Sequence, residues 1–286
     1  MPLVFVPTPL GNLRDVTLRA IDALHDADLV VAEDTRVARR LLHALGLPGR
    51  EIWSYREQNA VASTPAILER ARTQLVAVTS DAGMPGISDP GSDLVAAARA
   101  AGVAVEVLPG PSAAVGLALL SGFPLQRFVF EGFPPRALGA RRERFTQALR
   151  SGATTLWYES PQRIRASLSD LAEIAPDASV FVVREYTKLH EQQIQGTPSE
   201  VLAALPNPLR GEIAFAIAPH RMQPQTGTVP PEDAAAAIDE LLAQGRRVGE
   251  IAKLLADRGF GERKRLYARA VERSARARER HRRQAE

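Results

Sequence analysis

Residues 80–91 combine more chemically useful residue types than any other stretch: Ser-Asp-Ala-Gly-Met-Pro-Gly-Ile-Ser-Asp-Pro-Gly. They follow the apolar run 75–79, which is typical of a buried strand. Glycine lets a ligand approach the backbone closely, proline stiffens a loop, and the aspartates supply carboxylates. Since ligands of open α/β sheets bind outside the carboxyl ends of the strands, the segment predicts a pocket for a small polar ligand. The alternative is a long connection that is simply rich in turn residues.

Three other loops follow predicted strands and share this character: 7–12, 33–36 and 109–113. In a parallel sheet all of these loops emerge at one edge, so they could share a cleft. They contain neither a P-loop nor the glycine motif of dinucleotide sites, and no lysine to pair with a phosphate. The ligand is therefore better described as a nucleoside or amino acid moiety bound by backbone groups and carboxylates. Ser112, at the start of a predicted helix, could equally be a helix N-cap.

The elements that must position these loops alternate between apolar runs and helical patterns. This alternation predicts an α/β fold with a parallel, doubly wound sheet, followed by a second series of strands and helices. The predicted strands are 3–6, 29–32, 51–55, 75–79, 103–108, 128–131, 154–159, 180–185 and 212–218. The predicted helices are 15–27, 35–45, 64–73, 92–101, 112–121, 141–149 and 161–174.

The domain organisation follows from these patterns. We expect a first α/β domain over 1–115, a second over 116–221, a proline-containing linker over 222–231, and a helical domain over 232–286. The last domain has helical patterns at 232–243, 248–257 and 262–278, with a glycine turn at 258–261. This arrangement resembles a helix-turn-helix unit, and a plain three-helix appendage fits equally well.

The positive charge is concentrated in the C-terminal segment. Residues 232–286 hold 14 Lys and Arg against 10 Asp and Glu, whereas the whole chain has a net charge of only +3. A basic helical segment is typical of contact with a polyanion, usually nucleic acid. A solvated helix end rich in arginine and glutamate is the alternative.

Composition excludes several classes of site. The chain has no cysteine, which rules out disulfides, thiolate metal sites and cysteine nucleophiles. The five histidines are scattered without metal-ligand spacing, so we expect no metal site. There is no basic, apolar leader and no apolar run long enough for a membrane helix, so we expect a cytoplasmic protein.

Eight segments of the chain carry distinctive motifs: 8–13, 32–36, 54–59, 80–91, 109–113, 130–133, 158–161 and 187–191. Together they resemble the tetrapyrrole methylase superfamily and, within it, the ribosomal RNA small subunit methyltransferase I family. The resemblance implies two α/β domains with the cofactor between them, a small C-terminal helical domain and a homodimer. It also implies methyl transfer from S-adenosylmethionine to the 2′-hydroxyl of a cytidine in the decoding region of 16S rRNA.

Two other functions remain open at this point. A porphyrin or corrin precursor methyltransferase could use the same fold, but segments 33–36 and 54–59 and the basic C-terminal unit fit RNA and have no evident use for a tetrapyrrole. A non-enzymatic RNA-binding module would use the α/β domains as scaffold only, and would bind no cofactor.

The resemblance implies a set of cofactor-binding residues. From the second domain, Tyr158 and the strand region 211–218 are weaker candidates than the residues of the first domain. Plain packing is the strongest alternative for Met84, Ala113 and Tyr158. It is weakest for Asp81, because a carboxylate at a strand end among glycines has little structural role. The predicted set is Leu10, Gly11, Asp81, Gly83, Met84, Ser112, Ala113 and Tyr158.

The reaction implied by the resemblance needs an oriented ribose oxygen and a proton acceptor. Lys188 is attractive because an amine of lowered pKa could accept a proton, with Glu159 and Glu131 as the other main candidates. Glu185 and His190 are further possibilities, and scaffold ion pairs are the alternative for each. Relatives often read Glu-Ser-Pro-His-Arg where 159–163 has Glu-Ser-Pro-Gln-Arg, so a histidine base there is not available.

Arginines on or near the predicted cleft loops, and at the start of a basic helix, are candidates for RNA phosphate contacts. Such contacts position a nucleic acid without reading its sequence. Ordinary solvated arginines are the alternative for part of this set. The candidates are Arg14, Arg36, Arg39, Arg40, Arg56, Arg141 and Arg142, with Arg144 on the same helix as the last two.

Overall fold

The computed structural model describes residues 2–220, 231–257, 260 and 263–284. The chain forms two compact units, Met1–His220 and Arg221–Glu286, and both predicted α/β layers lie in the first. Among the described residues, no helix combines the length and the apolar character that a bilayer span requires.

The first sheet is parallel, as predicted. Its five strands take the order β3-β2-β4-β1-β5, and every pair is parallel. The inner strands β2 and β4 are buried throughout, because helices cover both faces of the sheet. The strands are β1 (Leu3–Phe5), β2 (Leu29–Ala32), β3 (Ile52–Ser54), β4 (Val76–Thr79) and β5 (Val105–Val107). The helices are α1 (Leu18–Asp26), α2 (Thr35–Ala44), α3 (Ala60–Thr73) and α4 (Ser92–Ala100).

Alternate residues of these strands serve two separate cores. Leu3 and Phe5 of β1 pack with Ile67 of α3 and Leu94 of α4 on one face. Residues of opposite parity, such as Val4, pack on the other face against α1 and α2. This two-sided burial follows from the period of two along each strand. Because all strands of this sheet are parallel, the loops after β1, β2, β4 and β5 leave from the same edge.

The second sheet is mixed. Its order is β6-β7-β10-β8-β9, with β6 and β7 parallel and all other pairs antiparallel. Its strands are β6 (Phe128–Gly132), β7 (Thr154–Glu159), β8 (Val180–Arg184), β9 (Gln192–Gly196) and β10 (Ile213–Ile217). Its helices are α5 (Ala113–Leu120), α6 (Leu138–Arg150), α7 (Ile164–Ile174) and α8 (Pro198–Ala204).

Helix α5 connects the two sheets and packs on the second. Leu117 and Ala118 of α5 belong to one core with Leu156 of β7 and Phe181 of β8. The proposed domain boundary at 115–116 therefore lies inside a helix whose buried face belongs to the second sheet. On the other face of this sheet, Trp157 stacks on Phe215 with centroids 6.0 Å apart.

Two elements, β9 and α8, have no counterpart in the sequence prediction. β9 reads Gln-Gln-Ile-Gln-Gly, and a single apolar residue gives no periodic signal. α8 does carry a signal, because Thr197 and Glu200 form a capping box ahead of its first turn. The other predicted elements of the first unit are present, with ends that shift by a few residues.

The second unit contains three helices among its described residues: α9 (Pro231–Ala243), α10 (Val248–Asp257) and α11 (Arg263–Gln284). Ile238, Ile251, Leu255 and Leu266 form its buried core. The predicted linker lies outside the described residues except for Pro231, and so does the glycine turn except for Phe260. The two α/β sheets and the C-terminal helical segment confirm the predicted fold class, and the helix-turn-helix likeness stays a prediction.

A buried ion pair joins α6 to α7. Arg141 donates from Nε to Asp170 at 2.7 Å, and Arg142 donates to the same carboxylate at 2.9 Å. Only 3% of the Asp170 side chain is exposed. Arg141 also donates to the carbonyl of Arg136. These bonds hold the basic helix onto the second α/β layer.

We predict that Asp170→Asn lowers the free energy of unfolding by about 3 kcal/mol, because it leaves Arg141 buried without a counter-charge. Chemical denaturation monitored by circular dichroism measures the loss. Glu69→Gln is the control, since the Glu69–Arg72 pair is exposed and such pairs contribute roughly 1 kcal/mol or less. Equal effects from both substitutions would contradict this account of the pair.

Candidate functional site

A cavity of about 330 Å³ lies between the two sheets of the first unit. The first sheet contributes the loops that follow β1, β4 and β5. The second contributes residues from the ends of β7 and β8 and from the start of β10. The lining residues are Leu10, Ala82, Gly83, Met84, Ile87, Ser88, Asp89, Ser112, Ala113, Phe133, Tyr158, Glu159, Ser160, Pro161, Val183, Tyr186, Gly211, Glu212, Ile213 and Ala214.

Backbone pairing holds the first two loops together. Thr8 N donates to Gly83 O at 2.9 Å, and Gly83 N donates to Thr8 O at 3.0 Å. The Ser80 hydroxyl donates to Gly83 O at 3.1 Å, and the Thr8 hydroxyl donates to Ser80 O. Gly83 has φ +81°, and a Cβ there would lie 2.9 Å from Leu10 Cδ2. Only glycine fits this position without moving the cavity wall.

The second half of the loop after β4 is equally constrained. Gly91 has φ +155°, and a Cβ there would lie 3.0 Å from Gly86 Cα and 3.2 Å from the Phe5 ring. Between these glycines, Ser88 adopts φ +63°, which is uncommon for a residue with a side chain. The loop therefore holds Asp89 in a fixed position on the cavity wall.

Asp89 has an unusual electrostatic environment. Its pKa is raised to about 7, mainly by burial and additionally by the negative charges of Glu33 and Asp81. No arginine or lysine within the described parts of the chain forms an ion pair with it. A carboxyl group with this pKa exchanges its proton near neutral pH.

Asp81, the predicted cofactor carboxylate, does not line the cavity. It is exposed, and its Oδ1 accepts a hydrogen bond from Asp34 N at 3.0 Å. Burial is the largest cause that raises its pKa, and the bond from Asp34 opposes the shift. Asp81 thus ties the loop after β4 to the loop after β2, which also stays outside the cavity lining. The cofactor role of Asp81 stays a prediction, and it is Asp89 whose carboxyl group belongs to the wall.

Six of the eight predicted cofactor residues line the cavity together. Gly11 is exposed and does not line the cavity, and a Cβ at this glycine would collide with the side chain of Lys188. Tyr158 packs edge-on against Phe130 and Phe133. Burial raises the pKa of Tyr158 to about 12, so its hydroxyl keeps its proton. The six are Leu10, Gly83, Met84, Ser112, Ala113 and Tyr158.

The expectation of a lowered pKa at Lys188 is wrong. Burial lowers its pKa, but hydrogen bonds to Glu212 and Glu185 outweigh that effect and leave the pKa above its ordinary value. Lys188 Nζ donates to Glu185 at 2.9 Å and to Glu212 at 2.8 Å. An ammonium group held by two carboxylates cannot accept a proton. Lys188 instead joins the loop after β8 to the start of β10.

The predicted glutamates are also engaged. Glu159 is fully buried, and its two oxygens accept hydrogen bonds from Ser160 N and the Ser167 hydroxyl, each at 2.8 Å. Arg163 lies 3.4 Å from the same carboxylate. Glu131 forms an ion pair with Arg144 and is not part of the cavity lining. Glu159 and Glu131 are therefore placed as structural carboxylates rather than as open proton acceptors.

Several cavity residues were outside the sequence prediction. Tyr186 packs closely on Gly116 of α5, where a Cβ would lie 2.5 Å from its hydroxyl oxygen. Ile87, Ser88 and Asp89 come from the half of the glycine loop whose role the sequence left unassigned. The sequence feature that could have indicated them is the pair of flanking dipeptides, Pro85-Gly86 and Pro90-Gly91, because these residues restrict the backbone and so the direction of the side chains between them.

The RNA candidates fall into two groups. Arg141 is buried against Asp170, so the expectation that it contacts phosphate is corrected. Arg142 bonds to Asp170 and Glu173, so its guanidinium is largely occupied. Arg36 is exposed but pairs with Asp34. Arg56 is exposed after β3, but it donates to Glu33 O at 2.9 Å and lies 4.0 Å from the Asp34 carboxylate. The remaining candidates are exposed on elements that follow β1 and β2: Arg14, Arg39 and Arg40.

Comparison with known proteins identifies the class. A family profile described as "Tetrapyrrole (Corrin/Porphyrin) Methylases" matches residues 2–202. The solved structure of diphthine synthase superposes with TM-score 0.62 at 15% identity, over 76% of this chain and 90% of that one. Uroporphyrin III C-methyl transferase from Thermus thermophilus superposes with TM-score 0.54 at 19% identity, over 76% and 97%. These superpositions show the fold alone, and with the profile they define a methylase of the tetrapyrrole type.

Comparison with curated proteins narrows this class of methylases to one family. Ribosomal RNA small subunit methyltransferase I of Thermotoga maritima is 41% identical over 203 residues, covering 70% of this chain and 90% of the relative. The protein of the same name from Streptococcus pyogenes serotype M1 is 36% identical over 267 residues, covering 93% of both chains. The chain belongs to the ribosomal RNA small subunit methyltransferase I family, within the tetrapyrrole methylases.

We predict that Asp89 makes stability depend on pH. Because the folded-state pKa of about 7 exceeds the ordinary value of 3.8, the folded protein holds a proton that the unfolded chain releases. Its contribution to stability is full below pH 3.8, falls as pH rises through this window, and is lost above about 7. Asp89→Asn should therefore be more stable than the parent at pH 8, with the advantage shrinking toward pH 5. Urea unfolding at both values measures this, and a parent that is the more stable at pH 8 would contradict it.

Proposed function

We propose that this chain transfers a methyl group from S-adenosylmethionine to the ribose 2′-hydroxyl of a cytidine in 16S rRNA, in the cytoplasm where small subunits occur. The observation that carries the proposal is the cavity between the sheets, built from the glycine-rich loops in a chain whose relatives are named small subunit methyltransferases. A cavity of about 330 Å³ matches the lower end of small-molecule sites.

The cavity residues fit the cofactor in shape and polarity. Gly83 lets the Leu10 side chain pack closely against the backbone of the loop after β4, which sets the position of Leu10 on the cavity wall. Leu10, Met84 and Tyr158 supply apolar surface, and Ser112 stands at the start of α5, where helix N–H groups suit polar ligand atoms. The cofactor supplies an electrophilic methyl group on a positively charged sulfur. The acidic Asp89 in the wall is compatible with such a cation.

Exposed arginines support contact with RNA. Arg14, Arg39 and Arg40 occupy elements that follow strands of the first sheet, and α11 adds the exposed basic residues of its first turns. Their contacts with phosphates would orient the RNA, while the cavity would select the reacting hydroxyl. In this division of roles the arginines do not have to recognise the RNA bases.

We predict that the parent chain binds S-adenosylmethionine in calorimetry and methylates purified small ribosomal subunits with labelled cofactor. Gly83→Ala should weaken cofactor affinity by roughly tenfold, because the added Cβ displaces the Leu10 side chain from its position on the cavity wall. Mapping of the labelled nucleotide should identify a 2′-O-methylated cytidine.

Gly46→Ala is the matched control for Gly83→Ala. Gly46 also has a positive φ, +74°, but a Cβ there would meet nothing within 4 Å. The two variants share the backbone strain and differ in the cavity contact. Equal affinities in both variants would contradict the cavity as cofactor site, and the absence of label in the subunits would contradict the substrate.

We also propose that the chain works as a homodimer that associates through α5. Val115 and Leu119 are 63% and 76% exposed on this helix, although both are apolar. Val107 on the edge strand β5 and Phe128 on the edge strand β6 are exposed as well. Apolar groups at unpaired sheet edges and on a connecting helix are typical of a surface that another protein covers.

We predict that Leu119→Glu converts the dimer to a monomer in analytical ultracentrifugation, because a charge at the centre of an apolar contact is not solvated there. Val61→Glu is the control, since Val61 is 91% exposed on α3, outside the α5 surface. A parent that sediments as a monomer, or a Leu119→Glu variant that remains dimeric, would refute this interface.

A further inference from the structure

We propose that Asp89 is the catalytic group that accepts the proton of the ribose hydroxyl during methyl transfer. This inference rests on the methyltransferase function proposed above and names the residue that completes its chemistry. A 2′-hydroxyl is a poor nucleophile while protonated, so a positioned acceptor accelerates the transfer.

Among the described residues, five titratable side chains line the cavity: Asp89, Tyr158, Glu159, Tyr186 and Glu212. Only Asp89 is free to accept a proton. Burial raises the pKa of both tyrosines, so each keeps its proton. Glu159 is fully buried beneath its bonds to Ser160, Ser167 and Arg163. Glu212 is paired with Lys188.

The surroundings of Asp89 suit the role of a proton acceptor. The charged and titratable groups that face it are Glu33 at the end of β2, Asp81 after β4 and Tyr158 of β7, and none of them is a cation. The constrained backbone between Gly86 and Gly91 holds the carboxyl group against the cavity. Fixed position is what general-base catalysis demands of an acceptor.

The proton balance of the step is simple. The ribose O–H bond breaks and its proton passes to the Asp89 carboxylate. The oxygen forms the new O–CH₃ bond, while the electron pair of the former C–S bond stays on sulfur. When the cofactor is bound in the cavity, its positive charge would favour the ionised form of Asp89. Loss of that charge on methyl transfer would raise the proton affinity of Asp89.

The activity test compares Asp89→Asn, Asp89→Glu and Asp93→Asn in single-turnover methylation of small subunits at saturating cofactor, between pH 5.5 and 8.5. Asp93 is the matched control because it is an exposed aspartate in the first turn of α4. We expect Asp89→Asn to slow transfer by about 10²–10⁴-fold and to remove the rise in rate with pH. Asp89→Glu should keep part of the rate with a shifted pH profile, and Asp93→Asn should match the parent.

A second measurement does not depend on activity. Calorimetry of S-adenosylmethionine binding in two buffers of different ionisation enthalpy counts the protons released. At pH 6.5 the parent should release a fraction of a proton as Asp89 ionises beside the cation, and Asp89→Asn should release less.

The proposal is overturned if Asp89→Asn keeps the parental rate and pH profile, if its slower transfer retains the parental pH profile, or if both proteins release the same number of protons. An Asp89→Asn variant that binds cofactor poorly but transfers normally at saturation would also overturn it, by making Asp89 a cofactor ligand only. Failure of both the parent and Asp93→Asn to methylate subunits contradicts the proposed function instead, and the proton count then still decides whether Asp89 ionises against the cofactor.

Discussion

The paired backbone hydrogen bonds between Thr8 and Gly83 are the constraint on which the site depends. They join the loop after β1 to the loop after β4 without any side-chain chemistry. This joining is possible because β1 and β4 are adjacent and parallel, so both loops leave the same edge. Gly83 can accept this geometry because it tolerates a positive φ and brings no Cβ toward Leu10. Once these loops are fixed, the second sheet closes the cavity with Tyr158 and its neighbours.

The acidic residues near this edge divide into two layers. In the outer layer, Asp34 bonds to Arg36, and Asp81 receives the Asp34 backbone N–H, so both carboxylates support loop structure. In the inner layer, Asp89 faces the cavity without a cationic partner among the described residues. The negative charges of Asp81 and of the neighbouring Glu33 raise the proton affinity of Asp89. Structural and chemical roles are therefore separated by only a few residues of one loop.

The sequence predicts most of the fold and part of the site. Apolar periodicity is strong in buried strands such as β2 and β7, and their ends agree with the prediction. It is absent in the polar edge strand β9, which forms because β8 offers a free edge to pair with. Residue type alone also cannot show whether Asp81 or Asp89 lines the cavity, because the backbone of the glycine-rich loop places Asp81 outside the cavity and Asp89 in its wall. Arg141 shows the same limit: a sequence marks it as basic, whereas only packing shows that Asp170 buries it.

A crystal structure of the full chain with S-adenosylmethionine tests the central claim most directly. The account predicts that the cofactor occupies the cavity between the two sheets, in contact with Leu10, Gly83 and Tyr158, with the Asp89 carboxyl group beside the reacting methyl. A cofactor bound elsewhere on the chain, or one that fills the cavity with its methyl group turned away from Asp89, would contradict it.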